Sequence, residues 1–337
     1  MRLYGAAFAA VATLAATTVS GASTCRLQQV GDLPLSLSNG RLFVEVEINN
    51  RPARLIVSTG ATVTQLSRPG AAALDLKLRP ISPVQLAQAY EVGAETDAAV
   101  ARVGKFQLGE LVARNLDLLV IGNQAPGDAK GILGLDILEQ TDIEFDVPAG
   151  RLRFFKPKGC KGDDVVYWGK AYSSARMRGS DTDRRLRVTV EVNRVPLLAE
   201  LNTGASHSAM AEWAAESAEV TPQADGVVSV ADRVGGGPGT VRTYAGVFPT
   251  FVFGDETVRN ARLEIGNPLE MGETVRLGSR PLEPDVDQPA MILGADFFRA
   301  HRVYVAPGQR TVFVSYVGGP VFRTRAAAAS SAPPPAP

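Results

Sequence analysis

Histidine and cysteine are scarce: the 337 residues include two of each. No His/Cys cluster has metal-ligand spacing, so neither a metal nor another cofactor is expected. An excess of one charge is also missing. The 35 basic and 35 acidic residues cancel to zero, and no Lys/Arg run is present. A nucleic-acid partner, which needs a basic face, is therefore not expected. The apolar stretch behind Arg2, LYGAAFAAVATLAATTVSGAST, is short for a membrane span. It reads as a signal peptide over residues 1–22 with cleavage between Gly21 and Ser23, the alternative being an uncleaved anchor.

Export to the periplasm or the outside gives the two cysteines a meaning. In an oxidising compartment Cys25 and Cys160 are expected to form one disulfide, closing a loop worth about 4–5 kcal/mol in the chain-entropy model. A lipoprotein acylated at Cys25 is the competing reading. The preceding GAST is a poor lipobox, and acylation would leave Cys160 unpaired. The far end, residues 322–337, runs into AAAASSAPPPAP, which lacks the apolar surface to fold and reads as a disordered tail. Between these ends, an apolar content of 45% and a charged content of 21% fit a globular core, and the length suits two domains.

The chain repeats itself. RLFVEVEINNRPARLIVSTGA from Arg41 recurs as RLRVTVEVNRVPLLAELNTGA from Arg185, without a gap. FQLGELVARNLDLLV from Phe106 returns as FVFGDETVRNARLEI from Phe251, and ILGLDIL from Ile132 as ILGADFF from Ile292. Three blocks in the same order mean two copies of one domain, too few for a solenoid. The expected organisation is a lobe over 25–156, a connection over 157–184 with one short strand at DVVYW (Asp164–Trp168), and a second lobe over 185–318. Each copy is mostly strand. LFVEVEI and LRVTVEV alternate apolar and polar residues, and INNRP and VNRVP mark turns. KFQLGELVARNLDLLVI reads as two strands joined at Gly109. Helices are expected only at SRPGAAALDL, AMAEWAAESAEV, LDILEQT and ADFFRAH, with Asp136 and Asp296 near the start of the last two.

These elements together resemble the aspartic peptidase superfamily, in particular bacterial retropepsin-like proteins with two lobes in one chain. Each lobe of that family has an apolar strand, then Asp-Thr-Gly-Ala, then an apolar-apolar-Gly segment below the loop. The matching stretches here are LIVSTGAT with GILGLD and LAELNTGAS with MILGAD. The resemblance spans about Arg41 to Tyr316 and implies an all-β, two-lobed pepsin/retropepsin-like fold with a pseudo-twofold axis and few short helices, a monomer built of two lobes. It also implies roles. Two facing carboxylates would share one proton, one acting as base toward water and the other donating to the scissile carbonyl. Thr59 and Thr203 would bond across the axis, and Gly60 and Gly204 would allow the tight loops. Ile132, Leu133 and Gly134, with Ile292, Leu293 and Gly294, would pack beneath.

The reactive positions depart from the family. Ser58 and Asn202 stand where the two aspartates belong. Neither side chain shares a proton near neutral pH, and acid–base assistance is worth roughly 10²–10⁴ in rate. The expectation is a pseudo-peptidase that holds a peptide or protein segment between its lobes. The alternatives are an aspartic-type endopeptidase with a rearranged or weak site, and a purely structural module. No substitute pair stands out. His207, five residues past Asn202, is expected to face away from the centre on strand parity, and His301 to be exposed after the last helix. Asp136 and Asp296 read as structural carboxylates that cap their helices or bond the nearby loop. Flaps of the family kind would fall at Gln85–Thr96 and Ser229–Thr243, with Tyr90 and Tyr244 beside them.

Overall fold

A computed structural model describes residues 25–81, 98–123, 127–169, 171–179, 184–234, 240–266 and 289–325. The signal-peptide stretch, the first flap region with Tyr90 and the chain past Arg325 lie outside the described residues.

The architecture is all-β and two-lobed, and the repeat in the sequence is a repeat in topology. Lobe 1 is an eight-stranded sheet. Its strands run β2 (Ser36–Ser38), β3 (Arg41–Ile48), β4 (Arg51–Val57), β9 (Gly131–Leu133), β5 (Gln65–Leu66), β8 (Leu111–Val120), β7 (Ala99–Leu108) and β6 (Leu78–Pro80). Lobe 2 has the same order: β12 (Ser173–Arg178), β13 (Arg187–Val192), β14 (Val195–Leu201), β19 (Met291–Leu293), β15 (Ala209–Met210), β18 (Glu256–Ile265), β17 (Thr240–Phe253) and β16 (Val228–Val234). Each sheet closes on itself by one extra pairing, β3 with β7 and β13 with β17.

Local sequence accounts for this register. In RLFVEVEI the apolar residues from Val44 onward fall on the buried face and the glutamates on the exposed one. Asn49 and Asn50 both sit at positive φ, as do Asn193 and Arg194, so each copy turns its first hairpin through a two-residue loop of the kind that asparagine favours. Gly109, at φ +61°, makes the turn between β7 and β8. Helices are short: α1 (Arg68–Ala73), α2 (Leu135–Leu138), α3 (Glu212–Ser217) and α4 (Ala295–Ala300). Ser67 caps α1 by accepting from Gly70 N–H at 3.0 Å.

The two copies are joined more intimately than two beads on a connector. Strands β1 (Arg26–Pro34), β11 (Arg151–Lys158) and β10 (Asp142–Asp146) continue through β20 (His301–Ala306) and β21 (Thr311–Tyr316) into β12. The joint is β10 against β20, with Ile143 opposite Val305 and Phe145 opposite Val303. Phe145 meets Phe298 edge-on, and both are fully buried. Cys25 and Cys160 form a disulfide at the outer edge of this shared sheet, next to the Arg26–Lys158 rung.

Two local expectations fail. DVVYW forms no strand: Gly162–Val165 is a 3₁₀ turn, and the strand of this region lies later, at Ser173–Arg178. Val165 is buried there against Phe155 and Tyr304, so its apolar character serves packing without a ladder. The start of the supposed tail is also packed. Phe322 is buried edge-on against Phe251 at 4.9 Å, and Arg325 binds Glu264 at 2.9 Å.

Candidate functional site

The two loops that follow β4 and β14 meet at the pseudo-twofold axis. Thr59 and Thr203 are fully buried. Each Oγ1 accepts the other threonine's backbone N–H at 3.0 Å. Each also donates across the axis, Thr59 to the Leu201 carbonyl at 2.7 Å and Thr203 to the Val57 carbonyl at 2.8 Å. Every donor and acceptor of this four-bond lock is used, which is what burial of hydroxyls requires.

The loops hang from the paired motif segments. Ser58 N–H donates to Leu133 O at 3.0 Å and Asn202 N–H to Leu293 O at 2.9 Å. Ile132 lies in register with Ile56, and Ile292 with Glu200. Gly134 and Gly294 permit the crossing. A Cβ on either would come within 2.7 Å of backbone atoms of Val63 or His207. Asp136 and Asp296 fasten the outer limb of each loop. Asp136 Oδ1 accepts from Thr64 N–H at 2.8 Å and Thr64 Oγ1 at 2.6 Å, and Asp296 Oδ1 does the same for Ser208 at 2.9 and 2.7 Å. Burial pushes both carboxyls above their ordinary pKa, against the pull of these hydrogen bonds. They bond the nearby loop and the N–H of Ile137 or Phe297 at the helix start.

Ser58 and Asn202 stand at the centre. A Cβ on Gly204 would lie 2.4 Å from Ser58 Oγ, and one on Gly60 2.0 Å from Asn202 Nδ2, so each side chain is packed over the opposite glycine. Ser58 is buried, and Asn202 half-buried. Asn202 Oδ1 accepts from Gly204 N–H at 3.0 Å, and its Nδ2 donates to Glu200 Oε1 at 3.4 Å. The two positions offer hydrogen-bonding groups but no ionisable one.

Glu200 is the residue that sequence reasoning passed over. It is buried, lies near the end of β14 two residues before Asn202, whose Nδ2 reaches it, and stands 4.0 Å from Arg187 Nε. The strand period in LAELN held the signal: continued one residue past β14, it puts residues 200 and 202 on one side. Of the two histidines, His301 needs correction and His207 only a different argument. The stretch after Asn202 is turn rather than strand, so parity does not apply; His207 is half-buried with Nδ1 3.0 Å from Ser206 Oγ. His301 is fully buried, not exposed: Nδ1 is 2.8 Å from Phe297 O, Nε2 is 2.9 Å from Glu256 Oε1, and the ring stacks on Phe297. A histidine that closes a helix and opens a strand faces inward because β20 is covered on both sides. Strands β16 and β17 bound the second flap region, and Tyr244 there is partly buried against the core. Among the described residues no group of three or more His, Cys, Asp or Glu is arranged to hold a metal.

Two family models match the chain, one on each lobe. Residues 44–140 match the family model of the gag-polyprotein aspartyl protease, and residues 188–297 match that of the aspartyl protease. No curated protein matches. The solved structure of a retropepsin-like aspartic protease from Rickettsia conorii is similar at 18% identity over 40% of this chain and 95% of that one, with a TM-score of 0.28. The two family matches fall one on each lobe and contain both threonine loops and both apolar-Gly segments. This chain belongs to the retropepsin-like aspartic peptidase superfamily.

Proposed function

We propose that this is an exported, catalytically silent member of its superfamily that holds an extended peptide or protein segment between its lobes. The observation that carries the reading is the completed threonine lock with a serine and an asparagine at its tips. The lock stabilises a loop geometry whose use in the superfamily is to aim two carboxylates, yet the aimed groups here are neutral. Asn202, Gly60 and Gly204 remain half-buried rather than sealed, which suits contact with a ligand. An added strand in such a cleft would be held by its backbone, a mode that does not need the missing chemistry. Export is supported by the Cys25–Cys160 disulfide, a bond that persists in oxidising compartments. One chain supplies both lobes, so a monomer suffices.

The decisive experiment restores both carboxylates. Ser58→Asp with Asn202→Asp is expected to gain cleavage of a mixed peptide library at acidic pH, while the wild type leaves it intact. Cleavage by the wild-type protein that is lost in Ser58→Ala would overturn the silent reading. Glu200 favours a second reading, a weak endopeptidase in which this carboxylate takes the base role beside Asn202. Any wild-type cleavage should then vanish in Glu200→Gln.

A further inference from the structure

Where the turn before β3 touches lobe 2, two arginines line a cleft that both lobes build. Asn39 and Gly40 of that turn form one wall, Ser206 and His207 of the Asn202 loop another, and Arg299 of α4 with Arg323 the third. The lobes press together here: a Cβ on Gly40 would lie 2.6 Å from Ser206 Cβ. The cleft measures about 210 Å³, several times the ~30 Å³ share of one water molecule, so a group of a few heavy atoms fits.

Its charges are not balanced from within. Arg299 is half-buried, and its Nη2 is shielded from solvent without a hydrogen-bond partner. Neither the Arg299 nor the Arg323 guanidinium has an acidic partner among the described residues. Asp296 also borders the cleft, but its oxygens accept from Ser208, Phe297 and the Arg323 backbone N–H rather than from either guanidinium. A shielded donor on a cation is costly to leave unpaired. The other copy of the repeat is composed differently. Glu139 holds the place of Arg299, and Arg184 that of Gly40. Arg184 is near enough to Asp136 to pull its carboxyl pKa down, against the larger effect of burial. That corner has an acid on its helix and a base from the opposite lobe. The corner at Arg299 has two bases and, across from them, a glycine.

We propose that this cleft is an oxyanion site at the seam of the lobes, in which Arg299 and Arg323 grip a carboxylate or phosphate group and Asn39 meets it from the opposite wall. Each guanidinium offers five N–H donors in a planar fork, the geometry that suits both groups. A ligand held there touches both lobes, so its binding stabilises the seam. The site does not rest on peptide binding between the threonine loops.

The test titrates the full chain with sodium phosphate, and in parallel with sodium acetate, at constant ionic strength, and reads thermal unfolding. A specific site gives a midpoint shift that follows ligand linkage with one dissociation constant, whereas general salt effects are shared by every variant. The wild type should show such a site for at least one ion, and the tighter ion names the group as phosphate or carboxylate. Arg323→Gln, at the exposed rim, should weaken that ion at least about tenfold, the scale of a lost charge-assisted hydrogen bond. Arg299→Gln should weaken it as much. Without the ion it should unfold no lower than the wild type, because an unpartnered charge has been removed. Asn39→Asp, which supplies a carboxylate from the opposite wall, should raise the midpoint without added ion and remove the response to it. A wild-type response that both arginine variants keep unchanged overturns the site. So does an Arg299→Gln midpoint that falls equally with and without the ion, the mark of a merely structural arginine.

Discussion

Ser36, Phe43, Ile56 and Ser58 in lobe 1 occupy the places of Arg178, Arg187, Glu200 and Asn202 in lobe 2. Behind that row the lobes are nearly interchangeable. Thr59 and Thr203 make the same two bonds, Asp136 and Asp296 tie the same loop, and Gly134 and Gly294 meet the same backbone crossing. The residues that agree hold the two loops in place. Those that differ stand beside the junction. Duplication has kept the frame symmetric while the faces beside the centre have become apolar on one side and charged on the other.

The largest expected effect tests the symmetric part. Thr59→Val or Thr203→Val removes a hydroxyl that accepts one buried N–H and donates to one buried carbonyl, leaving both unsatisfied. The cost should be roughly 2–6 kcal/mol for either substitution, taking about 1–3 kcal/mol per orphaned group. Urea unfolding should give the same loss for both within experimental error. A lock that acts as one unit also predicts that the double variant loses clearly less than the sum of the singles. Additive or strongly unequal losses would mean that the two sides are not equivalent.

Much of this frame was legible in the sequence, because it rests on short-range rules. Hairpin turns with asparagine at positive φ, alternation along β3 and the doubled Thr-Gly signal are local, and the repeat multiplied their weight. What was not legible depended on distant partners. Nothing in the sequence around Ser173–Arg178 says that it joins β21 to β13, since that pairing is decided by the shared sheet. Val165 reads as strand-like but is needed for packing against Tyr304. His301 reads as polar and terminal, yet its two partners come from Phe297 and from Glu256 on another strand. Glu200 sits two residues before Asn202, but its contact with Arg187 depends on a rung to β13 that the local sequence does not specify.

A smaller effect should separate the two structural aspartates. The hydrogen bonds described at the Asp136 carboxylate all end on Oδ1, which an asparagine can reproduce. Asp296 accepts on both oxygens, with Oδ2 taking Arg323 N–H at 3.1 Å. In Asp296→Asn an NH₂ group would face that N–H, donor against donor. Asp296→Asn should therefore cost about 1–3 kcal/mol, and Asp136→Asn under about 1 kcal/mol. Thermal unfolding of the two variants side by side measures the difference. Equal losses would show that the C-terminal segment Val321–Arg325, which lobe 1 lacks, adds nothing to the hold on lobe 2.

The smallest effect concerns the sheet that joins the lobes, where the repeat again breaks its symmetry. Asp142 in β10 is buried and accepts from Tyr304 Oη at 2.9 Å, while the matching position in β20 is Arg302. Burial pushes the Asp142 carboxyl up to about 6 from an ordinary 3.8, the tyrosine hydrogen bond opposing it. A carboxyl with a raised folded-state pKa binds its proton more tightly in the native chain than in the unfolded one. Its contribution is then most favourable below about pH 4 and is lost as pH rises through about 6. Asparagine resembles the protonated acid and can still accept the tyrosine hydroxyl. Asp142→Asn should be near neutral in stability at pH 4 and stabilising by about 1–2 kcal/mol at pH 7.5, a fraction of what a shift of this size allows. Comparing urea unfolding of wild type and variant at each pH cancels the titration of every other group. A difference that does not change with pH would mean that Asp142 is solvated where the shared sheet joins the lobes, and that this joint is looser than the lock between Thr59 and Thr203.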